Sequence, residues 1–525
     1  MVAVKKPLIT YKNKKARISE DKKPVSNYFR GGDSHERTMK DWRPRLKPAD
    51  QDINPYRDKM TARARDLVRN NGYAQSIVYA YLDNVIGHFF KLSPKPNYVL
   101  LGKTFDWSKE VRKSIKARFN SWANSTYFYP DFYRQNTLTE LLRQGLYTAV
   151  LDGEILGIIR YVAGESQYRL KLQLIEPERL STPDNRKNDP NVISGIRHDR
   201  RGRPVGYYIC DKHPSDTGRK TWRYMSRLNS AGRKQVVHIF DKERPGQKRG
   251  RGVVAPIIQQ FKLLDNYKIT ESERAIAQAM FAAVISSDMP SIDAFHALGA
   301  EMDDSATPYE CYMEGLADFK DSSGGLSVNG SKIAHLATGE SLDIIKSDSP
   351  NTAYSQFTDA NIRETAAGAG TSYEQVSKDY SRTTYSSART AMIEAFKRFQ
   401  VMREQFPAKL ASEIYALFLE EDLELVSGYP DNQVPRFSEM PAAWTGCSWI
   451  APGKGEIDPL KQAQASEKNL GILRTTHEDE AAENGKDFDE LLEEAAYEKD
   501  KIQELGLTNP TVSISEPVPE GRESE

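Results

Sequence analysis

The chain has 525 residues, with 74 Lys+Arg against 73 Asp+Glu, a formal charge of +1 and 38% hydrophobic residues. At ~100–200 residues per domain this predicts about three or four structural units, with enough apolar residues for a large core. The neutral balance excludes a histone-like protein that coats nucleic acid. Cys210, Cys311 and Cys447 lie far apart with no CxxC pair, which disfavours a disulfide scaffold or a Cys-rich zinc site and suits a reducing compartment.

Residues 1–60 show little periodicity, many Lys/Arg and scattered Pro, and read as an extended arm. A helix is expected from near Thr61, with Ile77, Val78, Tyr81, Leu82 and Val85 recurring at helical spacing. Trp107, Val111, Ile115, Phe119 and Trp122 repeat that pattern, and a third helix is expected over 138–150. The period then changes. Residues 154–162 and 168–175 are short β-branched runs, and 193–197 with 204–210 flank the turn-prone Asp199-Arg200-Arg201-Gly202 as a hairpin. Residues 236–240 add a strand before the Arg249-Gly250-Arg251-Gly252 breaker.

A long helix is expected over 253–287, with Pro256 in its first turn, where proline is tolerated. Residues 288–352 are less regular, with a Gly/Ser turn at 322–325 and a strand candidate near 333–336. A helix over 354–367 precedes a loop-like stretch, 368–384, and the next helix, from Tyr385, is expected to break at Pro407. A β-like linker carries Trp444 and Trp449. Thr475-x-x-Glu478 matches a capping box, Gly485 a C-cap, and Asp487-x-x-Glu490 opens a last helix ending at Gly506. The tail after Leu507 cannot bury a core. No apolar run reaches the ~18–20 residues of a bilayer span. The N-terminus lacks the apolar stretch of a signal peptide, so a soluble intracellular protein is expected when first made.

Charge is polarised along the chain. Residues 1–70 hold 19 Lys/Arg and 9 Asp/Glu, residues 197–251 hold 16 and 5, and residues 471–525 hold 5 and 16. Opposite ends suggest contact between neighbouring copies or two partners of different charge; solvated tails are the plain alternative.

Enzyme motifs are incomplete. Gly102-Lys103-Thr104 ends a phosphate loop whose first Gly is replaced by Asn97. His35-Glu36 lacks the second zinc ligand, Gly325-Leu326-Ser327-Val328 ends in Asn329, and Gly368-x-Gly370 lacks the third Gly of a dinucleotide fingerprint. The eight His, including His88, His198, His213 and His238, read as surface or satisfied core residues. Asp152-Gly153-Glu154 is the best local carboxylate pair, and Asp-Gly there simply makes a turn. No cofactor, metal site or catalytic residue is implied. A polar segment, Tyr373-Glu374-Gln375-Val376-Ser377-Lys378-Asp379-Tyr380-Ser381, then Thr384-Tyr385-Ser386-Ser387-Ala388-Arg389, sits between helices, where Lys378 and Arg382 can touch phosphates.

The order of motifs resembles the portal, or head–tail connector, proteins of lambda-like tailed bacteriophages. The matching stretches are LVRNNGYA at 67–74, VIGHFFKL at 85–92, GYY at 206–208 and AIAQAMFAA at 275–283. They continue with GTSYEQVSKDY at 370–380, YSSAR at 385–389, and Trp444, Trp449 and Ile457-Asp458-Pro459. The resemblance implies an α+β, ring-forming, non-enzymatic fold of about twelve subunits at one capsid vertex, closed by heterologous contacts. It further implies assembly in the host cytoplasm and residence in the virion. Implied partners are duplex DNA read without sequence specificity, the terminase large subunit, head-completion and connector proteins, and major capsid and scaffolding proteins, with no membrane.

Mapped onto the chain, the arm is 1–60, the wing 61–252, the stem helix 253–287, and the clip with a second stem segment 288–352. Wing helices span 353–453, the helical crown 454–507, and a disordered acidic tail 508–525. The segment of about 368–384 becomes the channel loop, with Lys378, Tyr380, Arg382 and Tyr385. Glu490, Glu493, Glu494 and Glu498 form an acidic crown face expected to repel DNA, so neutralising them should alter packaging more than assembly. The competing readings are a metal-dependent nuclease with dispersed carboxylates, and another head or adaptor component.

Overall fold

In the computed structural model, the described residues are 39–280, 353–381, 383–425, 434–455 and 459–506, with short backbone pieces at 284–287, 314–315, 317–318, 326–328, 331–333 and 340–343. The arm up to residue 38, Cys311, the turn at 322–325, most of 288–352, Arg382 and the tail from residue 507 lie outside them.

Helix α1 (Ala49–Asn70) begins well ahead of Thr61 and carries Pro55 inside it. A proline costs one ladder bond, and burial of Ala64, Leu67 and Val68 holds the helix in spite of it. Asn71 accepts the Tyr73 and Ala74 N–H groups and so caps α2 (Gly72–Val85). The apolar stripe Ile77, Val78, Tyr81, Leu82 and Val85 is buried throughout. Helix α3 (Phe105–Ala123) buries Val111, Ile115, Phe119 and Trp122. Helix α4 (Leu138–Asp152) opens on the Thr137/Glu140 capping box.

The chain turns at Gly153 into β2 (Glu154–Tyr161), the central strand of an antiparallel sheet with β3 (Leu170–Ile175) and β8 (Val236–Phe240). Both faces of β2 are covered, which explains its continuous apolar run. Ile155 and Ile159 enter the main core, while Leu156 and Ile158 enter a second, smaller core with Ile196, Tyr207 and Ile209. The latter residues belong to an antiparallel four-stranded meander of β4 (Val192–Ile193), β5 (Ile196–His198), β6 (Pro204–Cys210) and β7 (Trp222–Ser226). The β5–β6 hairpin is as expected; β7 has a polar, exposed sequence and carried no strand signal.

Helix α5 (Ile258–Met280) is shorter than the expected 253–287 helix. Its first turn, Ala255–Ile257, is 3-10, and Val284–Ser287 forms a strand, β9, instead. Strands β10 (Leu326–Val328) and β11 (Ser331–Ile333) pair with each other, and β12 (Glu340–Asp343) pairs with β9. Helix α6 (Ala353–Ala369) is followed by a short helix, α7 (Tyr373–Ser377), within the stretch expected as a loop.

Helix α8 (Tyr385–Arg403) does not break at Pro407. It passes through a π-helical turn, Glu404–Ala408, directly into α9 (Lys409–Leu425), since the wider turn accommodates the ring. After α10 (Pro441–Trp444), β13 (Cys447–Ile450) pairs antiparallel with β1 (Lys91–Pro94). Phe119 and Trp122 of α3 meet Phe418 of α9, each with ring centroids 5.1 Å apart. Arg118 and the Tyr168 hydroxyl both donate to the buried Asp422 carboxylate at 2.8 Å. Three helices close the described chain: α11 (Pro459–Gly471), α12 (His477–Glu483) and α13 (Phe488–Glu504). Thr476, not Thr475, caps α12, paired with Asp479. The result is a mixed helical and sheet fold.

Candidate functional site

The carboxylates of the α4–β2 turn are held inside the protein. Glu154 is fully buried and accepts Arg249 Nε at 2.9 and 3.0 Å, Arg57 at 2.8 Å, and His238 Nε2 at 2.9 Å. The rest of the Arg249 guanidinium donates to the carbonyls of Leu180, Ser194 and Pro177 at 2.8–2.9 Å. Asp152 is paired with Arg65 at 2.6 Å, and Arg65 also contacts Glu178. Burial pushes the Asp152 carboxyl up to about 6, against the opposing hydrogen bond and charge of Arg65. This network ties α1, α4, β2 and the segment before α5 together. Among the described residues, no three His, Cys, Asp or Glu side chains come together as a metal site.

The basic segment 197–251 meets acids of its own chain. Arg233 reaches Glu420 at 2.9 Å and Glu424 at 3.1 Å, Lys234 reaches Glu413 at 2.5 Å, and Arg251 contacts Glu243. Sequence reading missed this role for Arg249. The available signal was Arg249 directly before Gly250, whose missing side chain lets the backbone approach closely. A Cβ on Gly250 would lie 2.0 Å from the Gly153 carbonyl oxygen.

The segment from Gly370 to Tyr385 is anchored at both ends. The Tyr81 hydroxyl donates to Ala369 O at 2.6 Å, and Gly370 turns with φ +68°. The Ser372/Gln375 capping box starts α7, whose Val376 is buried in the main core. Lys378 then takes a left-handed conformation (φ 58°) and its N–H bonds Glu374 O. Ser381 N–H bonds the Asp379 carboxylate at 2.9 Å, and Thr384 caps α8. Lys378, Tyr380 and Tyr385 are all exposed on this short, backbone-braced projection, while Arg382 lies outside the described residues.

The C-terminal acids divide into two groups. Lys116 of α3 bridges Asp487 at 2.7 Å and Glu490 at 2.8 Å; Lys91 reaches Glu490 at 3.1 Å, and Lys113 reaches Glu493 at 2.7 Å. Burial would raise Asp487 and Glu490, but the lysines outweigh it and hold both carboxyls below their ordinary range. Glu494 and Glu498 are exposed and take no ion pair among the described residues. Half of the expected acidic face therefore fastens α13 to α3 and to Lys91 of the same chain. Among the described residues, no helix is long and apolar enough to cross a membrane.

The family model described as phage portal protein, lambda family, matches residues 35–403. The portal protein of Escherichia phage N15 is 29% identical over 488 residues, 92% of each chain. Portal protein B of Escherichia phage lambda is 29% identical over 489 residues, 92% of this chain and 91% of its own. A probable portal protein of Halomonas phage phiHAP-1 is 22% identical over 481 residues, covering 89% and 86%. Among solved structures, a chain from the virion of a native gene transfer agent particle superposes with TM-score 0.41 at 12% identity, covering 85% of this chain and 94% of that one. The chain belongs to the lambda family of phage portal proteins.

Proposed function

We propose that this portal protein forms a closed homo-oligomeric ring at one vertex of the phage head, through which double-stranded DNA is packaged and ejected. The ring docks the terminase large subunit and then head-completion proteins, and nucleates prohead assembly with capsid and scaffolding proteins. The observation that carries the reading is the family match across residues 35–403, extended by similarity to portal proteins over 92% of the chain.

In this reading, residues 61–252 are the wing, 253–287 the stem helix, 288–352 the clip with a second stem segment, and 353–453 further wing helices. The projection bearing Lys378, Tyr380 and Tyr385, with Arg382, faces the channel, and 454–507 form the crown. A channel that moves DNA must not grip it, because each neutralised phosphate adds a salt-dependent increment of affinity. A few cations per subunit, repeated around a ring, would steer the duplex without trapping it.

End-on electron microscopy of the purified protein tests this, with rings holding a central hole wide enough for duplex DNA as the expected result. A chain that stays monomeric, both alone and with its scaffold and capsid proteins, would overturn it. Magnesium-dependent DNA cleavage by the pure protein would favour an enzyme instead.

A further inference from the structure

Helix α13 leaves several large apolar side chains exposed among the described residues. It buries no residue completely, and neither does α11. Yet Phe488, Leu491, Ala495, Glu498, Ile502 and Leu505 recur at alternating three- and four-residue spacing, with Leu492 alongside. That is a heptad seam interrupted by one charge. Leu491, Leu492 and Leu505 are 36%, 51% and 63% exposed.

The ion pairs fix which way this seam points. Asp487, Glu490 and Glu493 reach the lysines of the same subunit. At 3.6 residues per turn, the seam centre lies about 140° around the helix from Glu490 and Glu493. Phe488, at the start of the seam, stacks on His477 of α12 with ring centroids 5.8 Å apart, while Leu491, Leu492 and Leu505 stay exposed.

The two edges of the stripe carry opposite charge. Lys499 lies on one edge and Glu494 on the other, with Glu498 in the seam between them, and none of the three takes an ion pair among the described residues. Lys501, on the acidic edge, is already bonded to Glu504 at 2.8 Å. A second α13, set parallel beside the first, would place its acidic edge against Lys499 and bury apolar residues on both helices. Set edge to edge rather than seam to seam, the same basic-to-acidic contact can repeat from copy to copy around an axis, as a heterologous interface does.

From this we infer that α13 is a subunit–subunit contact element: its Lys499 edge docks on the Glu494 edge of α13 in the next copy, with Leu491, Leu492, Ala495 and Ile502 between them. The contact rests on the ring reading and adds the residues that join neighbours at the C-terminal end. It also gives Glu498 a role, since a charge within an apolar seam favours one register over others.

A chain carrying both Glu494→Cys and Lys499→Cys tests the contact. Five residues along one helix put these positions more than ~7 Å apart, too far to bridge within a chain. On mild oxidation the double variant should yield a ladder of covalent oligomers on a non-reducing gel. Either single variant alone should give only the background of the native cysteines. Separately, Lys499→Glu should reduce the fraction of assembled rings several-fold, and adding Glu494→Lys should restore it.

Rings that form without a ladder in the double variant, or a charge swap that fails to rescue, overturn this contact and leave the ring reading standing. A wild-type chain that forms no ring overturns the ring reading and this contact with it.

Discussion

Glu154 and Arg249, 95 residues apart in the chain, are both fully buried and joined through the guanidinium Nε at 2.9 and 3.0 Å. Arg57, His238 and three carbonyls complete their hydrogen bonds. Removing one partner of such a pair leaves a charge stranded in low dielectric, which costs about 3–5 kcal/mol. Arg249→Met should lose that much stability in urea denaturation followed by tryptophan fluorescence. Arg249→Lys should rescue little, because an ammonium cannot span the same acceptors. A loss below about 1 kcal/mol would show that the network contributes little.

The turn that delivers Glu154 makes a second expectation. Gly153 has φ +87°, and a Cβ there would sit 2.3 Å from the Arg251 backbone. Gly102 has φ +68° with nothing within 4 Å. Gly102→Ala should cost only the left-handed strain, about 1–2 kcal/mol. Gly153→Ala adds a clash that backbone must relieve, for about 2–5 kcal/mol in all. Equal losses at the two sites would mean that the segment 249–252 moves aside freely.

Asp152 gives a dependence on pH. Its folded carboxyl lies near 6, above the ordinary 3.8. Between those values the folded state keeps a proton that the unfolded state has released, so this group's contribution falls as pH rises from about 4 to 6. Asp152→Asn retains an acceptor for Arg65 and removes the titration. The stability of the variant relative to wild type should therefore rise across that window, by about 1–3 kcal/mol, and level off above it. A difference that is flat from pH 4 to 7 would show that Arg65 fully compensates the burial of Asp152.

Apolar periodicity locates α2 and α3, because each buries one face and its sequence repeats accordingly, and the turn-prone Asp199–Gly202 marks the β5–β6 hairpin. Proline misled in one direction, suggesting helix ends where helices run on. Pro55 lies inside α1 and Pro407 inside a continuous helix, since tertiary burial and a π-turn absorb what local rules forbid. The end of the 253–287 helix was misread because Val284 extends an apolar pattern that fits a strand equally well; Val284–Ser287 pairs with β12 through a contact distant in sequence. At the candidate site, the caps at Ser372 and Thr384 are local and readable, as is the turn at Asp152-Gly153. The pairing of Arg249 with Glu154, and of Lys113 and Lys116 with α13, depends on long-range docking. Charge totals along the chain cannot reveal it.

That docking supports the last prediction. Lys116 is the shared cation between Asp487 and Glu490, both half-exposed or better shielded, and both held below the ordinary carboxyl range by the neighbouring lysines. For depressed acids the stabilisation is present above the unfolded value and is lost as pH falls through the folded one. The α13–α3 contact should therefore loosen below about pH 4. Two partly exposed pairs contribute about 1–2 kcal/mol together, so Lys116→Gln should raise amide exchange in α13 roughly 5–30-fold at neutral pH. Exchange in α2 and α9 should not change, because their protection comes from the buried core. Glu490→Gln with Glu493→Gln should act in the same way, whereas Glu494→Gln with Glu498→Gln should leave α13 protection in the monomer unaltered. Equal loosening by both pairs of substitutions would mean that α13 is held by its total charge rather than by the specific partners on α3.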